Sequence, residues 1–177
     1  SVFHPSKIKQ NEYVPPVVIT SFRIFNKTIP IDGFFDNRKI LDKSITETDY
    51  IELSHRDQVF SFTFSALDFH NPEGNRYAYM MEGIDKDWNY SKDRRFATYT
   101  TLPPGSYRFR VKASNNNDKW NEEGASIEIK ITPPVWRTAW FISGVILGLL
   151  FFIYGVFKFR TESIRRANKE LENRVIM

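Results

Sequence analysis

The sequence predicts an all-β sandwich of about seven strands, followed by one transmembrane α-helix that continues into a short coiled coil. Three observations support this prediction. Apolar residues alternate with polar ones in several segments of residues 17–132, turn-forming residues separate these segments, and residues 139–157 carry no charge. Period-two alternation is typical of strands with one buried face. No long stretch of residues 17–132 has apolar residues at helical spacing, so we expect no long helix there.

The clearest strand is predicted between Tyr107 and Ala113, where apolar and basic residues alternate. We expect its apolar side chains in the core and its basic ones in solvent. Six further strands are predicted at residues 17–25, 50–53, 60–64, 77–79, 96–101 and 127–131. Turn-forming residues interrupt the pattern at 71–74, 103–105 and 115–118. This number of short strands suits two packed sheets.

The composition excludes several classes of function. The chain has no cysteine, so disulfides, thiolate metal sites and cysteine nucleophiles are ruled out. Residues 1–138 hold 19 of the 25 basic and 18 of the 21 acidic residues, so we expect no basic nucleic-acid-binding face. The positive excess follows the uncharged run, as is typical of a flank at a membrane surface. We expect no cofactor.

Residues 139–157 are predicted to cross a membrane. As a helix, this run of 19 residues would span about 28 Å, close to the hydrocarbon thickness of a bilayer. Two tryptophans and a tyrosine lie near its ends, where aromatic rings favour lipid headgroups. Five basic residues in 158–172 against two in 124–138 predict that the C-terminal side is cytoplasmic. A buried helix of a soluble protein is the alternative, but such helices rarely lack a polar face over this length.

Two patterns in the helix predict packing between two copies of the chain. Gly144 and Gly148 form a G-x-x-x-G, which lets membrane helices approach closely, although chance is as good an explanation for two small residues. Further on, six residues repeat at alternating spacings of four and three, as in a coiled-coil seam. They are Phe157, Thr161, Ile164, Asn168, Leu171 and Val175. A short amphipathic helix on the membrane surface is the alternative.

No catalytic or metal-binding constellation is predicted, and we expect no enzymatic activity in this segment. The histidines His4, His55 and His70 lack a metal-ligand neighbour at helical spacing. The triplet His55-Arg56-Asp57 matches that of a kinase catalytic loop, but the asparagine and the glycine-rich loop that accompany it are missing. The acidic pairs Asp85/Asp87 and Glu122/Glu123 lie in polar turns, where hydration explains them.

The segment Leu102-Pro103-Pro104-Gly105-Ser106-Tyr107 resembles the E–F corner of fibronectin type III and immunoglobulin-like domains, in which a tyrosine hydroxyl bonds back to the corner backbone. A longer pattern surrounds it and covers residues 77–132. It consists of Tyr77-Ala78-Tyr79-Met80-Met81-Glu82-Gly83, Asp87-Trp88, Ala97-Thr98-Tyr99-Thr100-Thr101 before the corner, and Trp120. This pattern resembles the three-tyrosine (Y-Y-Y) domain of Bacteroidetes hybrid two-component sensor histidine kinases.

The resemblance implies that Tyr79, Tyr99 and Tyr107 are the namesake tyrosines, with Trp88 and Trp120 as companion aromatics. We expect these five to be structural residues of the core and corner. Stacking of an exposed aromatic ring on a sugar is the alternative. In the family, a β-propeller sensor precedes the domain, and one transmembrane helix and a histidine kinase follow it.

The resemblance also implies a domain layout. We expect an internal segment of a longer chain, since residues 1–5 contain neither an initiator methionine nor the start of a signal peptide. The expected parts are a linker with a propeller remnant (1–16), the sandwich (17–133), a juxtamembrane linker (134–138), the transmembrane helix (139–157) and the start of the coiled coil (158–177).

This layout implies a homodimer in the inner membrane, with residues 1–138 periplasmic and 158–177 cytoplasmic. A glycan-derived ligand would bind the upstream domain. A surface adhesin or glycan-binding module anchored by the helix is the alternative function.

Overall fold

The computed structural model describes residues 12–68 and 72–175, with side chains through Glu162. The chain divides into two compact units, Ser1–Pro133 and Pro134–Met177. The described part of the first unit contains eleven strands. They are β1 (Val17–Ile24), β2 (Lys27–Thr28), β3 (Phe34–Phe35), β4 (Arg38–Lys39), β5 (Tyr50–Ser54), β6 (Val59–Ala66), β7 (Arg76–Glu82), β8 (Asn89–Ser91), β9 (Phe96–Thr100), β10 (Gly105–Ser114) and β11 (Ala125–Thr132).

The strands form two packed sheets and a separate hairpin. One sheet has the order β2-β1-β6-β9, the other has the order β5-β11-β10-β7-β8, and β3 pairs with β4. Pairing is antiparallel throughout, except that β5 runs parallel to β11. The predicted all-β sandwich is confirmed, and each of the seven predicted strands is present. The short strands β2, β3, β4 and β8 were not predicted, because two or three residues hold too little alternation to detect.

The core between the sheets is rich in aromatic rings. Phe62 on β6 is fully buried, and its ring stacks on Phe109 of β10 at 4.7 Å between centroids. The ring of Phe22 on β1 packs against the Phe62 ring, with 5.0 Å between the two centroids. Strand β10 contributes Phe109, Val111 and Ala113 to the core, as its alternation predicts. On β6 and β10 the core side chains come from every second residue, whereas β1 shifts register between Ile19 and Ser21, so that Ile19 and Phe22 both point inward.

The chain enters and leaves the sandwich at opposite ends. Val17, the first residue of β1, lies opposite Ala66, the last residue of β6. Strand β6 begins at its other end, one tight turn after Ser54, and Ser54 lies opposite Thr132, the last residue of β11. We call the end at Val17 the upper end and the end at Thr132 the lower end. The eight residues of β6 separate them by about 23 Å.

The second unit contains a short 3-10 turn, Val135–Arg137, and one helix, α1, Ala139–Val175. Within the described residues, the segment Ala139–Glu162 is the one helical stretch that is long and apolar enough to cross a membrane. No part of its most apolar window is buried within this chain. This segment includes the predicted span 139–157 and extends it by five residues.

Candidate functional site

A hydrogen bond between the sheets joins Tyr99 to Asp85 at the lower end. The Tyr99 hydroxyl on β9 donates to Oδ2 of Asp85 at 2.8 Å, and the backbone N–H of Met81 donates to the same oxygen at 2.7 Å. Asp85 lies in the turn after β7, so the bond connects strands of different sheets. The turn closes through a bond from the Asp85 N–H to the Met81 carbonyl, and Gly83 supplies the positive φ of 91° that it needs.

Tyr99 is 8% exposed, and its surroundings oppose ionisation. Burial raises the pKa of the phenol well above its ordinary value, and the hydrogen bond to the Asp85 carboxylate raises the pKa further. The hydroxyl therefore stays protonated as a donor over the physiological range.

Replacing Tyr99 with phenylalanine should flatten the loss of stability at high pH. The folded-state pKa of Tyr99 lies above its unfolded-state value of about 10. Its contribution to the free energy of unfolding is therefore complete below about pH 10 and is lost as the pH rises further. Urea unfolding between about pH 8 and pH 11 should show a steeper decline for the wild type than for Tyr99→Phe. Tyr90→Phe is the matched control, because Tyr90 is 67% exposed. If stability declined equally steeply with pH in the wild type and in Tyr99→Phe, the raised pKa of Tyr99 would be contradicted.

Tyr107 forms the predicted type of corner at the start of β10. Its hydroxyl donates to the Pro103 carbonyl oxygen at 2.8 Å. Its ring lies beside Gly83, since a Cβ placed there would be 3.5 Å from the Tyr107 ring. The corner thus connects the loop between β9 and β10 to the turn after β7.

Tyr79 lies midway along β7, opposite Val111 of β10. Its partly buried ring packs against the core rings of Phe64 at 5.8 Å and Phe109 at 6.5 Å. The three tyrosines therefore lie at different levels of the sandwich, with Tyr99 and Tyr107 near its lower end.

Trp88 and Trp120 enclose Lys112 on the outer face of the five-stranded sheet that contains β10. The Lys112 Nζ lies 4.6 Å from the centre of the Trp88 ring and 5.4 Å from that of Trp120. The ammonium also forms an ion pair with Glu122 at 2.8 Å. Lys112 is only 8% exposed, so its predicted position in solvent was wrong. The indole rings cover its aliphatic stem, while cation–π contacts and Glu122 satisfy its charge.

Asp57 forms a third connection at the lower end. Nη2 of Arg38, on the β3–β4 hairpin, lies 2.8 Å from Oδ1 and 2.9 Å from Oδ2 of Asp57. The Ser54 N–H donates to Oδ2 of the same carboxylate at 2.7 Å. The buried aspartate therefore holds the hairpin against the turn between β5 and β6. The triplet His55-Arg56-Asp57 is part of this turn, which explains its aspartate without a catalytic role.

The incoming chain is held at the upper end by two asparagines. Nδ2 of Asn115 donates to the Tyr13 carbonyl at 2.8 Å, and Nδ2 of Asn121 donates to the Pro15 carbonyl at 3.0 Å. Pro15 is buried, and the Leu67 N–H donates to the Pro16 carbonyl at 2.8 Å. The segment just before β1 is therefore fixed to the sandwich.

The predicted packing residues of α1 lie on an exposed helix. A Cβ added at Gly144 or Gly148 would meet nothing within 4 Å in this chain. Phe157 is 72% exposed, and the Thr161 hydroxyl donates to its carbonyl at 2.9 Å. The side chains of the other four seam residues lie outside the described ones, so the coiled coil stays a prediction. These four are Ile164, Asn168, Leu171 and Val175.

The structure brings no metal site together within the residues it describes, since no three histidine, aspartate or glutamate side chains converge there. His4 and His70 lie outside the described residues. Asp57, Asp85, Asn115 and Asn121 were missed as site residues. For Asp57 the sequence does hold a signal, because an aspartate three residues after Ser54 in a turn can accept the Ser54 N–H. Nothing in the neighbouring sequence indicates the partners of Asp85, Asn115 and Asn121.

The fold and its connections define a class: a β-sandwich domain with side-chain connections at both ends, followed along the chain by one candidate transmembrane helix. Within this chain, residues 68–132 match the Y_Y_Y domain. The predicted resemblance of this chain to the Y_Y_Y region of two-component sensors is therefore confirmed.

The relatives fit this assignment. Histidine kinase P4 from Formosa agariphila is 38% identical over 138 residues, which cover 78% of this chain and 10% of that protein. The extracellular domain of the putative hybrid two component system BT3049 from B. thetaiotaomicron is 34% identical, with a TM-score of 0.52 over 68% of this chain and 16% of that one. The extracellular domain of BT4673, described as a putative one component system from the same organism, is 26% identical, with a TM-score of 0.57 and the same coverage. The chain thus spans a small part of each of these proteins.

Proposed function

We propose that this chain is the membrane-proximal relay segment of a sensor histidine kinase. It would carry a change from an upstream periplasmic domain, through the sandwich and one transmembrane helix, to a cytoplasmic kinase. The chain itself would catalyse no reaction. The observation that carries the proposal is the passage of the chain between opposite ends of the sandwich, with side-chain connections at both. Similarity to a histidine kinase and to hybrid two component systems supports it.

A relay domain must move as one body, because a soft domain would absorb a displacement. At the upper end, Asn115 and Asn121 hold the incoming backbone. At the lower end, the Tyr99–Asp85 and Tyr107–Pro103 bonds link strands and turns near the end of β11. Between these ends lies a close-packed aromatic core, which resists deformation. We propose that the three tyrosines and the two tryptophans serve this stiffness and bind no ligand.

The proposed assembly is a homodimer that pairs through the sandwich, α1 and the coiled coil. The G-x-x-x-G face at Gly144 and Gly148 and the seam at Phe157 and Thr161 are its proposed contacts inside and beyond the membrane. A glycan-derived ligand would bind the upstream domain and favour one arrangement of the two copies. It would have to bind the two arrangements with different affinity, because equal affinity shifts no equilibrium.

The proposed layout follows the predicted one: residues 17–133 as the periplasmic sandwich, 139–157 as the span through the inner membrane, and 158–177 as the start of the cytoplasmic coiled coil. The excess of basic residues after the span supports this orientation.

Insertion of one to four alanines after Glu162 in the full-length protein tests the relay. Each added residue rotates the following helix by about 100°. Kinase autophosphorylation should therefore vary with helical period, with the two-residue insertion changed most and the four-residue insertion close to wild type. The same insertions in a variant whose residues 158–177 are a Gly/Ser linker should have no periodic effect. Activity that is unchanged, or that falls steadily with insertion length in the wild-type helix, would contradict the relay.

A further inference from the structure

Four turns meet at the lower end of the sandwich and form one continuous surface. The Phe25 N–H donates to the Val59 carbonyl, beside the turn between β5 and β6. The Thr101 N–H donates to the Gln58 carbonyl of that same turn. The Tyr107 corner then connects the loop after Thr101 to the turn that contains Gly83 and Ile84. We call this surface the lower face.

The lower face carries exposed apolar side chains at its tips. Phe25 is 47% exposed and Ile84 is 40% exposed, and both lie in turns, where polar residues are usual. Phe25 also has a φ of 48°, which is an unfavourable conformation for a bulky side chain. Pro103 and Pro104 are exposed beside them. Phe25 is about half exposed, so part of its ring can contact an external partner.

The charges on the lower face have a definite sign. Lys27, Arg56 and Lys86 are exposed, and within the described residues none of them forms an ion pair. The Asp57 carboxylate is neutralised by Arg38, whereas Asp85 and the exposed Asp87 keep their negative charges. Three cations against these two anions leave a net positive charge of one among the named groups. Apolar tips beside a net positive charge match the chemistry of an anionic lipid surface.

The length of the chain limits how far this face can lie from a membrane. Six residues, 133–138, separate the last residue of β11 from the first residue of α1. Fully extended, the seven steps from Thr132 to Ala139 reach at most about 25 Å. Where α1 crosses a bilayer, the lower end therefore stays within that reach of the point at which the helix emerges.

We propose that the lower face docks on the membrane surface, with Phe25 and Ile84 among the lipid headgroups and Lys27, Arg56 and Lys86 facing lipid phosphates. The inference rests on the proposed function in one respect, namely that α1 spans the bilayer. It adds that the membrane itself is a binding partner of the sandwich. Docking would fix the tilt of the sandwich, so its release would be a step that a signal could control.

Fluorescence quenching by a headgroup-level quencher lipid tests the docking. The full chain, which has no native cysteine, is placed in nanodiscs with a fluorophore on Gln58→Cys at the lower face or on Lys92→Cys near the upper end. In phosphatidylcholine with phosphatidylglycerol, quenching should be several-fold stronger at position 58 than at position 92. Quenching at position 58 should weaken in pure phosphatidylcholine. Equal quenching at the two positions would overturn the proposal.

Substitutions in the Gln58→Cys background separate docking from mere tethering. Lys27→Gln and Lys86→Gln should each lower the ratio of docked to undocked chains about fivefold. Phe25→Ser combined with Ile84→Ser should also reduce quenching, whereas Phe96→Ser and Lys119→Gln, which change exposed residues elsewhere, should leave it unchanged. If the lower-face substitutions left quenching unchanged, the linker alone would hold the sandwich near the membrane, and docking would be refuted. Failure of the chain to co-purify with the nanodisc would instead refute the spanning helix.

Discussion

Replacing Phe62 with alanine is expected to lower the free energy of unfolding of the sandwich by about 3–5 kcal/mol. The ring is fully buried between the two sheets and contacts the rings of Phe22, Phe60 and Phe109. Its loss removes buried apolar area and leaves a cavity that these aromatic neighbours fill poorly. Since a domain is stable by only about 5–15 kcal/mol, the variant should unfold at much lower urea concentration.

Phe34→Ala provides the matched control for this prediction. Phe34 lies on β3 and is 76% exposed, so its loss should change stability by less than about 0.5 kcal/mol. Urea titrations of both variants, followed by circular dichroism, make the comparison. A small effect at Phe62, or similar effects at both positions, would show that the core is packed differently.

Replacing Ile146 and Leu149 together with arginine should remove the chain from the membrane fraction. Both side chains lie near the middle of the candidate span and are more than half exposed within this chain. Each arginine near the centre of a transmembrane helix costs about 3 kcal/mol, so two should outweigh the apolar contribution of a single span. Carbonate extraction of membranes that contain the chain measures the outcome. The control is Ile146→Ala with Leu149→Ala, which should remain in the pellet. Retention of the double arginine variant would argue against a spanning helix.

The fold was predictable where a pattern repeats along one strand. A strand such as β10 can be predicted from its own residues, because Phe109, Val111 and Ala113 alternate with residues of the opposite face. The short strands β2 and β8 could not be predicted, since they exist only through pairing with a longer neighbour. The resemblance to the Y_Y_Y domain could be recognised in the sequence, because the tyrosines and tryptophans that support it occur at characteristic spacings around the Tyr107 corner.

The side-chain connections were harder to predict, because their partners are distant in sequence. Asp85 looks like any hydrated turn carboxylate until folding brings Tyr99 from the other sheet to it. Lys112 looks like a solvent-facing residue until Trp88 and Trp120 enclose it. Composition and spacing describe one strand at a time, whereas burial of a charge depends on what the neighbouring elements place around it.

We propose that the sandwich and the C-terminal part of α1 lie on opposite sides of one membrane. Single cysteines test it directly, because the chain has none of its own. In intact spheroplasts, a membrane-impermeant maleimide should label Lys92→Cys in the sandwich, and it should label Lys169→Cys only after lysis. Labelling of both positions before lysis, or of neither, would contradict a chain that crosses the membrane once between them.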